Sequence, residues 1–356
     1  MMIRSDSKLQ KLHEDFKKFY DKKLLKDYIK LEDKRKKYLK IFWFLLATSI
    51  LLLSAIVVYT NNNTYSGQGE KAFVKIMIII AVFLVIYPIV VFKQRTQKTV
   101  MNKIVSFFGD MKYGKNRIKR NDIEESELFS FYSSSSVDDC FHGKYNDVSI
   151  RVSEQTLKRR GRKNDYIIFS GLFIMLDFDK VFSGKTIVKT RGILWADVFP
   201  WIFLVLIYMF LIFSLVYSKE YVKLFFSLLF CIPFIFEIRK FYANKKEVKL
   251  EDVVFSKEWK VYATDQVEAR YLLTTAFMER ILEIKRRFNG DKIDFSFFDN
   301  KLFIAVHTSK DMFETTNLFK STLDYRTMQN VVYQFYSIFS IIDLLKIKGN
   351  KENETN

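Results

Sequence analysis

The sequence predicts a membrane protein with two transmembrane helical hairpins (four helices) and a cytoplasmic α+β domain built on an antiparallel sheet. Three observations carry this: charge-free apolar runs that come in pairs, basic residues flanking those runs on one side, and short β-branched and aromatic runs elsewhere. The 58 Lys and Arg against 40 Asp and Glu leave a net charge of +18. That excess calls for an anionic partner, either nucleic acid or the negative face of a membrane.

Residues 1–40 form a basic amphipathic cytoplasmic helix in this reading. Leu9, Leu12, Phe16 and Phe19, then Leu24, Tyr28 and Leu31, make a helical stripe on a charged rod. The stripe suits a partner helix, a membrane surface or the chain's own soluble domain.

The first transmembrane hairpin covers 41–92. Ile41 to Thr60 is twenty residues without a charge, enough to cross a hydrocarbon core of about 30 Å. The polar stretch NNNTYSGQGEK follows, and 76–92, IMIIIAVFLVIYPIVVF, returns. The charged residues ahead of the first run argue against a cleaved signal peptide. The second hairpin, 198–238, pairs 198–217 with 222–238. Lys223 and Glu237 lie inside the latter and must snorkel for it to span.

Basic residues set the orientation. Lys34, Arg35, Lys36 and Lys37 precede the first span, Lys93 and Arg95 follow the second, and Arg239 and Lys240 follow the fourth. The loop from Asn61 to Lys71 holds one basic residue. Both termini and the soluble mass therefore face the cytoplasm, and those eight residues are expected to touch anionic head groups. They account for much of the positive charge without nucleic acid.

A helical connector, 93–127, leads to the first half of the cytoplasmic domain, 128–197. FSFYSSSS, KYNDVSIRVSE, DYIIFSGLFIMLDFD and KTIVKTR read as an antiparallel meander. The loop LKRRGRKND within it holds Arg159, Arg160, Arg162 and Lys163, a basic cluster that fits a solvated tip or a contact with lipid or a polyanion. The second half, 239–347, resumes with EVKLEDVVF and WKVYATD as strands, so the intervening insertion must cross the membrane an even number of times.

DQVEARYLLTTAFMERILEIKRRF, 265–288, is the most ordered-looking soluble run. Asp265 with Glu268 resembles a capping box, and Thr274 caps a second helix. Phe277, Ile281, Ile284 and Phe288 share one face, and Glu283 is one turn from Arg286 and Arg287. Asn289 and Gly290 end the helix. Asp299 and Asn300 form a two-residue turn between two more strands, the second ending at His307. A long helix occupies 322–347, and the tail 348–356 is polar and expected to be disordered.

Chemistry is sparse. Cys140 and Cys231 cannot easily meet, so no disulfide framework is expected, and His13, His142 and His307 are too scattered for a zinc pattern. Cys140 and His142 would share a face of a strand. With eleven glycines and neither GxGxxG nor GxxxxGK[ST], the common nucleotide folds have no support, and no cofactor is expected. A non-enzymatic, membrane-anchored interaction or assembly module is the favoured function. The runner-up is a membrane-bound enzyme using Asp177, Asp179, Glu268 and Glu279, which must then meet in one pocket. Transport ranks last, because the spans lack charge and only an oligomer could build a pore.

FSGLFIMLDFDKVFSGKTIV at 169–188 and VKLEDVVFSKEWKVYATDQVEARYLLTTAFMERILEIKRRF at 248–288 resemble the two signature blocks of bacterial domain-of-unknown-function family 3137. FHGKYNDVSIRVSE upstream is similar too, and the resemblance covers most of 139–310. Thr275 stands where that family usually has proline, and the hairpin 198–238 is not implied by the resemblance. What the resemblance implies is a membrane protein with an N-terminal hairpin and a cytoplasmic domain, without an established activity or cofactor. It also implies a LemA-type membrane protein as a partner, since such proteins are often encoded beside family members.

Overall fold

The computed structural model describes residues 2–62, 68–114, 116–129, 131–162, 164–191 and 246–353. The expected second hairpin, 198–238, lies outside the described residues, as do Arg239 and Lys240. The chain folds into two compact units: residues 1–116, 139–145 and 310–339, and residues 117–138, 146–309 and 340–356.

The first unit is helical. α1 (Met2–Phe19) passes through a π-helical turn at Tyr20–Leu24 into α2 (Leu25–Asn62), and α3 (Gln68–Val105) returns. Phe16, Tyr20, Leu24 and Tyr28 recur every four residues, a spacing that drifts by about 40° per step in a regular α-helix. The wider π turn offsets that drift, and all four are buried. Phe16 meets Phe107 at 5.3 Å and Tyr325 at 5.8 Å, so the stripe packs on its own unit rather than awaiting a partner helix.

Two helices here are long and apolar enough to cross a membrane, Leu9–Thr60 and Lys71–Phe108. They approach closely where Ser49 Oγ donates to the Leu45 carbonyl at 2.8 Å and to the Ala81 carbonyl across the pair at 3.1 Å. Small residues permit this approach, and a hydroxyl satisfied by backbone carbonyls has no need of water. After α3 a 3₁₀ turn (Ser106–Phe108) leads to β1 (Lys112–Tyr113), which pairs with 141–142 of β2 (Ser134–Tyr145).

Glu32 ties 318–322 to α2. Its carboxylate, 8 % exposed, accepts from Arg35 Nε at 3.0 Å and Nη2 at 2.6 Å, and from the Thr322 N–H and hydroxyl at 2.9 Å each. The hydrogen bonds from Arg35, opposed by burial and reinforced by Thr322, lower its pKa from 4.5 to about 2. A depressed carboxylate stabilises the fold fully above its unfolded value and loses that contribution as pH falls through the folded value. Glu32→Gln is therefore expected to flatten the fall in melting temperature between about pH 4.5 and pH 2. An unchanged acid limb in that variant would contradict the assignment.

The second unit is built on an antiparallel sheet. β3 (Val148–Arg159), β4 (Tyr166–Asp177), β9 (Lys301–His307), β8 (Lys292–Phe298), β5 (Thr186–Thr190), β7 (Trp259–Ala263) and β6 (Lys246–Glu247) follow one another across it. Asn146 and Asp147 both have positive φ, 47° and 63°, as the two-residue turn into β3 requires. The Asp299–Asn300 turn joins β8 to β9 as expected.

Among the described residues up to 309, the helices of this unit are α4 (Arg120–Glu125), α5 (Val253–Glu258), α6 (Gln266–Leu272) and α7 (Thr275–Arg287). The expected face of α7 is buried to the last residue: Phe277, Ile281, Ile284 and Phe288 are each 0 % exposed, with Phe277 5.6 Å from Phe295. A separate cluster gathers Phe169, Phe173, Phe129 and Phe303, with Phe169 and Phe173 stacked at 4.2 Å.

Three expectations are corrected. DVVF is the start of α5 rather than a strand, because the Asp252 carboxylate caps the Phe255 N–H at 2.9 Å and outweighs the β preference of two valines. The connector is helical only to Val105 and again in α4, with β1 between them. The last helix, α8 (Tyr325–Asn353), extends through most of the expected tail.

Candidate functional site

The two segments that carry the family resemblance meet in the second unit. Asp265 caps α6, accepting from the Val267 N–H at 2.8 Å and the Glu268 N–H at 3.2 Å, and Thr274 caps α7 through the Phe277 N–H at 3.4 Å. Between the Thr274 cap and the segment before α5 lies a cleft of about 340 Å³. Leu273 and Met278 are buried beneath it, and Lys249, Glu251, Asp252 and Arg270 line its rim. Among the described residues Lys249, Glu251 and Arg270 form no ion pair, so the rim presents both charge signs to solvent.

The four carboxylates expected of an enzyme do not converge. Glu268 does not complete a capping box; its two oxygens accept the Ser183 and Gly184 N–H groups, at 2.7 Å each, of the loop before β5. Asp177 pairs with Arg151 at 3.2 Å. Glu279 and Asp179 are exposed and form no ion pair among the described residues. No two of the four share a partner, so the structure offers no acid/base pair from this set.

Carboxylates do gather around Asp177, and each meets a cation. Asp122, buried, accepts from Arg151 at 3.2 Å and Lys301 at 3.1 Å; Lys301 also reaches Glu125 at 3.3 Å. Burial works against the Lys301 ammonium, but hydrogen bonds and charge from Asp122 and then Glu125 outweigh it and raise its pKa. Lys185 bonds Glu127 at 2.8 Å, and both lysines lie 5.6 Å from the centre of the Phe298 ring. The cluster neutralises itself, which is what a structural network does and a catalytic carboxylate pair avoids.

The residues expected at lipid head groups divide. Arg35 is engaged with Glu32 and, through Nη1, with the Leu318 carbonyl at 2.9 Å. Lys93 pairs with Asp311 at 2.8 Å and Glu314 at 3.3 Å. Both therefore fasten the 311–322 segment to α2 and α3, a role invisible in the sequence because the partners lie more than two hundred residues away. Arg95 donates to the Tyr38 hydroxyl at 3.2 Å, while Lys34, Lys36 and Lys37 are exposed. Cys140, buried, and His142 lie on β2. His307 sits at the edge of the Phe169 ring, 4.7 Å away, with Asp294 at 3.5 Å, the packing role its place at a strand end suggests.

No curated protein and no solved structure matches the chain. A family model described as a protein of unknown function, DUF3137, matches residues 167–347, a little over half of the sequence and including both signature blocks and the cleft lined by the second. The chain belongs to the DUF3137 family.

Proposed function

We propose that the protein is a non-enzymatic, membrane-anchored interaction module, multi-pass in the cytoplasmic membrane with both termini and the sheet unit in the cytoplasm. The observation that carries the anchoring is the bare apolar surface of α2 and α3: Leu51 is 68 % exposed and Ile79 66 %, with Trp43, Phe44 and Phe83 exposed beside them. Water disfavours a surface of that size, and lipid accommodates it. Lys34, Lys36, Lys37 and Arg95 stand where anionic head groups would meet them. The basic flanks of 198–238 support a second hairpin, giving four spans.

Within this module the cleft is the recognition site. Its unpaired Lys249, Glu251 and Arg270 above Leu273 and Met278 suit a protein segment with both charge signs and an apolar anchor. A LemA-type membrane protein fits that role, and a second copy of the chain is the alternative to be distinguished. Arg270→Glu with Lys249→Glu is expected to abolish partner crosslinking in native membranes without loss of the membrane-bound protein; an undiminished crosslink would remove the cleft from the account.

Topology is testable with single cysteines in a Cys231→Ser background, since Cys140 is buried. An impermeant maleimide is expected to label Tyr65→Cys and Ser218→Cys in intact cells, and Lys36→Cys only after permeabilisation. Labelling of Lys36→Cys from outside would invert the orientation, and protection of Ser218→Cys would remove the second hairpin.

A further inference from the structure

The β3–β4 hairpin ends in a surface that no structural role explains. Phe131 is 78 % exposed, and Tyr166 and Ile167, paired in register with Arg159 and Lys158, are 63 % and 65 % exposed. Phe131 is also held at φ 55°, a left-handed conformation that a bulky side chain adopts only under constraint. The constraint is visible: Arg159 Nε donates to the Phe131 carbonyl at 2.8 Å, and Ser133 takes the Arg160 N–H at 2.6 Å. The fold thus holds an aromatic ring in solvent at the cost of backbone strain.

The tip is close-packed rather than loose. A Cβ on Gly161 would run into the Asn164 carbonyl and the Tyr166 ring. Around the three apolar side chains stand Arg159, Arg160 and Arg162, and the segment LKRRGRKND sets five cations against Asp165 alone. Arg160 and Arg162 are exposed and form no ion pair among the described residues. Aromatic and aliphatic groups beside the exposed guanidinium groups of Arg160 and Arg162 match the two layers of a membrane surface, acyl boundary and phosphate.

We infer that the β3–β4 tip is a docking finger for the anionic headgroup surface of the bilayer that anchors the chain, with Phe131, Tyr166 and Ile167 entering the interface and Arg159, Arg160 and Arg162 meeting phosphates. This rests on the membrane-anchored reading above. Tethering supplies the reason that so small a surface suffices: an anchored chain meets its own bilayer at high effective concentration, so weak contacts populate the docked state. Electrostatic attraction of about fivefold per basic residue makes the contact depend on anionic lipid. Nucleic acid would use the arginines but leaves the exposed Ile167 and the strained Phe131 without a purpose.

The test uses the full chain reconstituted in vesicles of phosphatidylcholine alone or mixed with phosphatidylglycerol. Asn164→Cys, in the Cys231→Ser background, carries an environment-sensitive fluorophore and leaves all six tip residues intact. Phosphatidylglycerol is expected to shift the emission to the blue and to expose the probe to quenching by nitroxide lipids. Arg160→Ser with Arg162→Ser is expected to lower the docked-to-undocked ratio about 25-fold, and Phe131→Ser to abolish the shift. Emission that is identical in both lipids and unquenched overturns the inference, as does a shift produced by added RNA alone. Resistance of the same samples to carbonate extraction reports the anchoring separately, so failure of the finger is distinguishable from failure of the anchor.

Discussion

Gly171→Val is expected to destabilise the second unit by more than about 3 kcal/mol, enough to abolish a protease-resistant sheet domain at ordinary temperature. Gly171 lies within β4, paired on one side with Gln155 and on the other with His307, at a φ of 148°. A valine pays twice there. The backbone conformation is one that β-branched residues rarely adopt, and a Cβ would fall against the Val306 carbonyl, 2.9 Å from the Thr308 N–H and 3.2 Å from the His307 Cα. Those neighbours are backbone atoms of β9 and its exit, so relief requires moving a strand, and with it the Thr308 N–H bond to the Ser170 carbonyl at 3.0 Å. Gly171→Ala should share the sign with a smaller loss. Ser170→Ala, next to it, removes one side-chain contact at 3.3 Å and should cost under about 1 kcal/mol. Equal melting temperatures for the glycine and serine variants would show that β9 yields at little cost.

Local rules made parts of this molecule legible in the sequence. The apolar face of α7 follows from spacing alone, and the Asp265 and Thr274 caps from their chemistry, since partners three residues away are fixed by the helix itself. The same rules failed wherever the partner is distant. β5 lies between β8 and β7, an arrangement set by side-chain packing across the sheet and absent from any local pattern. Arg35 and Lys93 read as membrane flanks because their acceptors lie at Leu318 and Asp311. The β-branching of Val253 and Val254 points to a strand, but the Asp252 cap starts a helix there. In the candidate site, the rim charges Lys249, Glu251 and Arg270 carried no signal of their own. They share one signature block, 248–288, but Arg270 is about twenty residues from the other two along it, and the fold brings them together.

Glu268 shows how a residue suggestive of chemistry becomes one of architecture, and the second large effect follows from it. Glu268→Ala is expected to destabilise the sheet unit by about 2–3 kcal/mol, because it removes an ionised acceptor from two adjacent N–H groups, and charge-assisted bonds exceed neutral ones about twofold. The Ser183 and Gly184 N–H groups belong to the loop that aligns β5, and Gly184 sits so close to Thr264 and Asp265 that an added Cβ would lie 2.6 Å from the Thr264 hydroxyl. Neither carboxylate oxygen can be replaced without moving the loop. Glu268→Gln keeps the shape but turns one acceptor into a donor facing another donor, so it should recover less than half of the loss. Hydrogen exchange at Ser183 and Gly184 is the discriminating measurement, since local opening by about 2 kcal/mol accelerates exchange about 30-fold. Glu279→Ala, on the exposed side of α7, should change stability by less than about 0.5 kcal/mol. Slow exchange at both amides in Glu268→Ala would free that carboxylate from the loop and restore it as a group held for another purpose. Fast exchange assigns it to the clamp: the glutamate within the family's signature block then holds β5 in place, and the cleft's own chemistry falls to Lys249, Glu251 and Arg270.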